Sequence, residues 1–167
     1  MGNKKFSPWM KWDDRNEADS IKMPGIYAIA IVDQNIEGND FKLLKEIVYF
    51  GMTNSQDGLR SRLKAFDNTI KNKTGHGGAS RFKYKHIDYQ NSDQIVEIRK
   101  KLEEELISKL YVSVAPFERE ANHKPFSSKD LRIMGEVSKL EYECFADYVD
   151  KFGSLPEFND MKLSPKK

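Results

Sequence analysis

Two apolar runs decide the fold of this chain: PGIYAIAIVD at residues 24–33 and KEIVYFGMT at residues 45–53. Both are rich in β-branched and aromatic residues, a composition typical of buried strands. The polar segment at 33–40 contains Asn, Gly and Asp, so it predicts a turn that makes the two strands antiparallel neighbours. Each strand carries a tyrosine close to a glycine, Tyr27 in the first and Tyr49 in the second. Strand tyrosines usually serve packing, so a functional role for these two needs support from the rest of the chain.

Helical periodicity accounts for much of the remainder. A helix is predicted to begin at Asp57, which can cap it, because apolar residues then recur every three or four positions. Two more helices are predicted, one at 95–107 and one from Ser127, the first residue of a capping box, to Gly153, a favourable C-terminal stop. The apolar run LYVSV at 110–114 predicts a third strand between them.

These elements predict an α/β (α+β) fold with a small, predominantly antiparallel three-stranded sheet flanked by helices. A chain of 167 residues is long enough to bury a core as one domain. We expect an N-terminal arm at 1–23 with packed tryptophans, a main domain at 24–160 and a C-terminal tail at 161–167. The long connection at about 73–108 is predicted to be a helical insertion.

The composition limits the class of protein. No run of about 18 apolar residues is present, so neither a transmembrane helix nor a membrane partner is expected. The N-terminal segment lacks an apolar core, so it does not predict a secretory signal. Cys144 is the one cysteine, which excludes an internal disulfide and a cysteine-based zinc site. These features predict a cytoplasmic protein.

The charge is balanced overall but unevenly distributed. Lysine and arginine number 28 and the acids 26, yet between Leu59 and His86 the one acid is Asp67. Such segregation favours a positive face that binds nucleic-acid phosphates, although a solvated helix and loop give the same pattern. The candidate nucleic-acid contacts are Arg60, Lys64, Lys71, Lys73, His76, Arg81, Lys83 and Lys85.

Five short motifs occur in a recognisable order. Gly25-Ile26-Tyr27 is followed by Tyr49-Phe50-Gly51 and by Leu59-Arg60-Ser61-Arg62-Leu63, and later come a helical glutamate and Pro156-Glu157-Phe158-Asn159. This set resembles the signature of the GIY-YIG nuclease superfamily over about residues 24–160. Phe50 stands where the family usually has isoleucine or valine, and the insertion is longer than in minimal members. Each motif is weak alone, and their order makes the resemblance specific.

The resemblance implies a metal-dependent endonuclease that hydrolyses DNA phosphodiester bonds. Its implied catalytic residues are Tyr27, Tyr49, Arg62, Glu141 and Asn159. Tyr27 acts as general base or positions water, Tyr49 holds water or phosphate, and Asn159 helps to order the site. Glu141 is the implied ligand of one Mg²⁺ or Mn²⁺, the ions that oxygen-only ligation favours. DNA is the expected partner, and a homodimer is the simplest assembly for cutting both strands.

Helix geometry separates the two candidate glutamates but hardly separates the two candidate arginines. At 100° per residue Glu141 lies about 40° from Val137, inside the apolar stripe of its helix, whereas Glu143 lies on the opposite side. A carboxylate on a core-facing stripe needs a cation or hydrogen bonds, so the pattern favours Glu141. Arg60 and Arg62 lie about equally far from their stripe, and the family spacing Leu-x-x-Arg-Leu selects Arg62.

Two other functions and one residue role stay open at the sequence level. The same fold could serve as a non-catalytic nucleic-acid-binding module, or the domain could bind other proteins and match the motifs by coincidence. His76 lies among glycines on what the sequence predicts to be a flexible loop. It could contact phosphate, take part in proton transfer or have no role.

Overall fold

A computed structural model describes residues 6–71, 76–85, 96–120 and 124–159 of the chain. Four strands form one sheet, with helices on both of its faces. The strands are β1 (Met10–Lys11), β2 (Gly25–Ile31), β3 (Ile47–Thr53) and β4 (Leu110–Pro116). The α-helices are α1 (Gly58–Ile70), α2 (Gly77–Lys83), α3 (Val96–Ser108) and α4 (Ser128–Phe152). Short 3-10 helices span Trp12–Glu17 and Glu157–Asn159. No helix within the described residues is long and apolar enough to cross a membrane.

The sheet has the order β1-β4-β2-β3, and all its neighbouring strands are antiparallel. The mixed α/β class and the antiparallel pairing of β2 with β3 are therefore confirmed. The prediction of three strands is wrong, because the N-terminal arm adds β1, whose Met10 and Lys11 pair with Val112 and Tyr111. Two residues are too few to produce a recognisable alternation in the sequence.

The central strand β2 is buried on both faces, which explains its continuous apolar run. Tyr27 and Ile29 face a core shared with α1 and α2. Ile26 and Ala28 face a second core on the other side of the sheet, where α4 packs. The two tyrosines of the sequence motifs thus belong to the α1–α2 face. Cys144 of α4 is buried in the second core.

Gly51 determines how closely the two tyrosine rings can pack over β3. It pairs with Tyr27 across the β2–β3 ladder. A Cβ atom at this position would lie 2.5 Å from Tyr27 Oη and 2.7 Å from Tyr49 Cε1. Both distances are shorter than van der Waals contact, so a side chain here forces a ring to move. The glycine of the second motif is therefore a packing requirement of the two tyrosines.

The ends of α4 agree with the sequence-based prediction, whereas the cap of α1 does not. Ser127 Oγ accepts a hydrogen bond from the Asp130 backbone N–H at 3.3 Å, and Gly153 ends α4 with a φ of +80°, as predicted. The predicted side-chain cap of α1 by Asp57 is wrong. The carbonyls of Met23 and Ile21 instead accept from the first-turn N–H groups of α1, because the preceding loop packs against its N-terminus.

One carboxylate of α1 binds three side chains, two of them from the N-terminal arm. Asp67 accepts a hydrogen bond from Trp12 Nε1 at 2.9 Å. The same carboxylate forms ion pairs with Arg15 and Lys71, each at 3.0 Å. Trp9 and Trp12 are buried, which confirms their predicted packing role. The one acid of the basic stretch therefore serves to attach the arm.

Replacement of Gly51 by alanine should destabilise the fold by about 1–3 kcal/mol, the usual cost of an overpacked core. The matched control is Gly135→Ala, because a Cβ at that exposed position of α4 meets nothing within 4 Å. Loss of a mid-helix glycine should stabilise by about 0.5–1 kcal/mol. Urea unfolding of the three proteins measures both changes. Equal stabilities for wild type and Gly51→Ala would contradict the packing role.

Candidate active site

Tyr27 and Tyr49 form the floor of the site. They lie on neighbouring strands and on the same face of the sheet, with ring centroids 6.0 Å apart. Both are buried among Phe66 of α1 and Ala79 of α2. The sequence predicted the strands, and the antiparallel register with a bulge after Ile29 brings the two phenol groups together.

Arg62 of α1 supplies the positive charge of this face. It is half-buried, and its Nε has no hydrogen-bond partner within the described part of the chain. Its positive charge favours the ionised forms of Tyr27, Tyr49 and Glu141, which lowers the pKa of each. The same charge disfavours the protonated form of His76, so the pKa of this residue is lowered as well. These four groups come from β2, β3, α4 and the start of α2. Arg62 is therefore the point at which the separate motifs meet.

Burial dominates the protonation of the two phenols. It raises the pKa of Tyr27 well above the usual value, and Tyr49 raises it further, whereas Arg62 opposes both. Burial also raises the pKa of Tyr49, against the charges of Arg62 and Arg81. Both tyrosines are consequently neutral at physiological pH in the protein alone.

Glu141 behaves as its position on the helix predicts. It is half-buried, and burial raises the pKa of its carboxyl while Arg62 opposes the rise. Its charge also acts on the pKa of both tyrosines, although α4 packs on the other face of the sheet. Since β3 is the edge strand, no further strand separates this part of α4 from the tyrosine face. Glu143 is also half-buried, but it pairs with Lys139 of the same helix at 3.8 Å, and its charge does not act on the pKa of either tyrosine.

Asn159 supports the site from outside it. Its Oδ1 accepts from the Phe50 N–H at 2.8 Å, and its Nδ2 donates to the Phe50 carbonyl at 2.7 Å. This pair of bonds imitates the pairing of a fifth strand with the edge strand β3. Because its amide is engaged in this way, Asn159 fixes the residue next to Tyr49. The sequence placed it among the catalytic residues, and the structure gives it a positioning contact.

The sequence predicts a flexible loop at His76, but the structure places this residue, buried, at the N-terminus of α2. Its Nε2 lies 2.8 Å from Tyr27 Oη, and its Nδ1 lies 3.3 Å from the Ala79 backbone nitrogen. Burial lowers the pKa of His76 to about 3, and the charges of Arg62 and Arg81 act in the same direction. Such a position excludes a direct contact between this ring and nucleic acid without rearrangement.

The rest of α2 also belongs to the site. A Cβ at Gly78 would lie 2.5 Å from Tyr49 Cε2, so this glycine allows the helix to approach the ring. Arg81 Nε donates to the carbonyl of Phe158 at 2.7 Å, next to Asn159. The sequence predicts a flexible loop around His76 within the insertion at about 73–108, and it does not predict that this segment packs on the tyrosines. The signal was the His-Gly-Gly triplet, since paired glycines beside a histidine predict close approach of backbone.

The predicted basic surface is partly neutralised. Arg60 and Lys64 are both exposed. Arg60 Nη2 donates to the Asn16 carbonyl at 3.4 Å. Lys71 pairs with Asp67, and Lys85 pairs with Glu157. Arg60 and Lys64 on α1 are thus the candidates best placed for phosphate contacts.

Two further candidates have other positions. Lys83 is half-buried on α2, in the same helix as Arg81. Lys73 lies outside the described residues.

Glu141 fits a single hard cation better than a zinc site. Within the described residues no group of three or more His, Cys, Asp or Glu side chains comes together. Zinc needs three or four protein ligands, whereas Mg²⁺ commonly keeps several waters and takes one or two carboxylates. A half-buried carboxylate beside neutral phenols is the kind of oxygen donor that Mg²⁺ or Mn²⁺ prefers.

No protein-family model matches the chain, and comparison with curated proteins and with solved structures finds no match for it. The GIY-YIG resemblance therefore rests on the ordered motifs alone.

Acidic pH should destabilise the protein through His76. The unfolded chain binds a proton at this residue near pH 6.5, whereas the folded state does so at a pKa of about 3. Since the unfolded state then binds more protons, the free energy of unfolding falls as the pH drops from about 6.5 towards 3, by up to about 1.4 kcal/mol per pH unit. Urea unfolding at several pH values measures the slope. His76→Asn should reduce this slope, and parallel curves for the two proteins would contradict it.

Proposed function

We propose that the protein is a metal-dependent endonuclease of the GIY-YIG type that hydrolyses phosphodiester bonds in DNA. The observation that carries the proposal is Arg62, a half-buried guanidinium beside two buried phenols, whose Nε has no hydrogen-bond partner among the residues that the structure describes. A buried donor without a partner is costly unless a ligand satisfies it. A phosphate group suits such a donor, because a guanidinium binds two phosphate oxygens at once.

Arg62 is proposed to neutralise the non-bridging oxygens of the scissile phosphate. Negative charge grows on these oxygens as water attacks phosphorus and the bond to the 3′ oxygen breaks. A fixed cation in a partly dry site stabilises that charge more than water does, since little solvent screens it.

Tyr27 is proposed to hold the attacking water once substrate binding opens the site, because its side chain is fully buried in the protein alone. Burial raises the pKa of its phenol, so in the protein alone it is a neutral hydrogen-bonding group. It can accept the water proton only where nearby positive charge lowers that pKa, and Arg62 contributes in this direction. Tyr49 is the second phenol of the floor and is proposed to bind a phosphate oxygen.

Glu141 is proposed to bind one Mg²⁺ or Mn²⁺. When bound, the ion supplies Lewis-acid polarisation of the phosphate and stabilises the leaving oxygen. Partial burial disfavours the ionised form of the Glu141 carboxyl, and a bound cation offsets this cost. The ion and the carboxylate therefore stabilise each other. Asn159 and its contact with Phe50 hold β3 beside this centre. Arg60 and Lys64 are proposed to contact the flanking DNA backbone.

Glu141→Gln should abolish metal-dependent cleavage, with a loss of about a hundredfold or more, because the amide cannot replace a carboxylate as ligand. Glu143→Gln is the matched control, since it is two residues away on the same helix and pairs with Lys139. The assay is nicking of supercoiled plasmid with Mg²⁺, with Mn²⁺ and with EDTA. Equal losses in the two variants would contradict the assignment. If wild type binds DNA in a salt-sensitive way but does not cut it, a non-catalytic binding module becomes the better proposal.

Arg62→Lys should reduce the cleavage rate by about 10²–10³-fold, because lysine keeps the charge but loses the planar pair of donors. Arg60→Lys is the control, since Arg60 is exposed on the same helix and needs only its charge to contact backbone phosphate. Single-turnover rates at saturating protein separate this effect from binding. A larger loss in Arg60→Lys than in Arg62→Lys would reverse the two assignments.

A further inference from the structure

His76 is held by both of its ring nitrogens, which determines where its proton lies. A backbone N–H can only donate, so Nδ1, which faces the Ala79 nitrogen at 3.3 Å, carries the lone pair. The ring is 1% exposed and stays neutral at physiological pH, because burial and two arginines oppose its charge. The single ring proton therefore lies on Nε2.

The direction of the contact with Tyr27 follows from this tautomer. Nε2 donates its hydrogen, and Tyr27 Oη, 2.8 Å away, accepts it. The hydroxyl hydrogen of Tyr27 must then point elsewhere, because His76 has no acceptor left on that side. Arg62 has no acceptor either, so the remaining acceptors are the hydroxyl of Tyr49 and whatever occupies the site.

We propose that His76 is a positioning residue for Tyr27: its Nε2–H holds the Tyr27 oxygen and turns the Tyr27 hydroxyl hydrogen away from His76, towards the Tyr49 hydroxyl or a bound phosphate. The inference deepens the proposed nuclease function, on which it rests. It replaces the sequence-based candidate role of His76 as a nucleic-acid contact.

The attachment of α2 supports a positioning role. Besides His76, Gly78 packs on the ring of Tyr49, and Arg81 donates to the carbonyl of Phe158 beside Asn159. One short segment thus contacts β2, β3 and the C-terminal 3-10 helix. Because His76 caps a helix that is attached in this way, its ring can hold Tyr27 more rigidly than a side chain on an unattached loop.

The tautomer can be measured without any cleavage assay. Nitrogen-15 NMR of the histidine rings is simple in a chain with three histidines. At pH 7 we expect His76 to show a protonated Nε2 and an unprotonated Nδ1, with Tyr27→Phe shifting mainly the Nε2 signal. A protonated Nδ1, or a doubly protonated ring, would overturn the proposal. Because this readout needs no DNA, it remains valid even if the protein is not a nuclease.

Two substitutions separate the bond to Tyr27 from the cap of α2. Asparagine at 76 is a good N-cap but is too short to reach Tyr27, whereas glutamine places an N–H donor near the position of Nε2 and caps poorly. We expect His76→Asn, assayed well below its melting temperature, to lose about a hundredfold in single-turnover rate, because misplacement of a reacting group costs about that much. His76→Gln should melt about 2–4 °C lower and stay within about tenfold of wild type.

Either of two other results would overturn the positioning role. Losses of rate that follow the melting temperature in both variants would indicate that His76 only stabilises α2. The second result is that His76→Asn binds DNA more weakly but cleaves it at an unchanged rate at saturation. If the salt dependence of binding also falls by about one phosphate contact, His76 contacts phosphate instead.

Discussion

A guanidinium held among buried groups is the constraint on which this site depends. Arg62 lies half-buried, and its charge acts on two phenols, a carboxyl group and an imidazole that come from four different elements. Burial opposes ionisation of each of these groups, and Arg81 adds a second positive charge that acts on Tyr49 and His76. That arrangement is costly unless an anion completes it, which is the physical basis for proposing a phosphate ligand.

Close packing around the two tyrosines makes this arrangement rigid. Gly51 and Gly78 leave no room for a Cβ against the rings of Tyr27 and Tyr49, so strand and helix backbones approach them directly. Asn159 then ties the edge strand to the C-terminal 3-10 helix through two bonds to Phe50. The first residues of the predicted insertion therefore belong to the core of the site. Reactive groups that are held in this way need little reorganisation before reaction.

Local patterns predicted the elements that have strong periodicity or clear punctuation. The strands at 25–31, 47–53 and 110–116 and the helix that ends at Gly153 follow from apolar runs and capping residues within one or two positions. The contrast between Glu141 and Glu143 also followed from helix geometry. The cap of α1 and the strand β1 could not be predicted in this way, because both depend on segments that pack from elsewhere in the chain.

By itself, the sequence determined the fold class and the order of the motifs; it favoured Glu141 through helix geometry, and it favoured Arg62 over Arg60 only through the spacing of the family motif. The tertiary structure decided what His76 and Asn159 do. Their partners, Tyr27 and Phe50, are 49 and 109 residues away in the chain, and only the packing of α2 and of the C-terminal 3-10 helix on the sheet brings them within hydrogen-bond distance. Hydrogen bonds are short and directional, so no periodicity in the sequence encodes such a pairing.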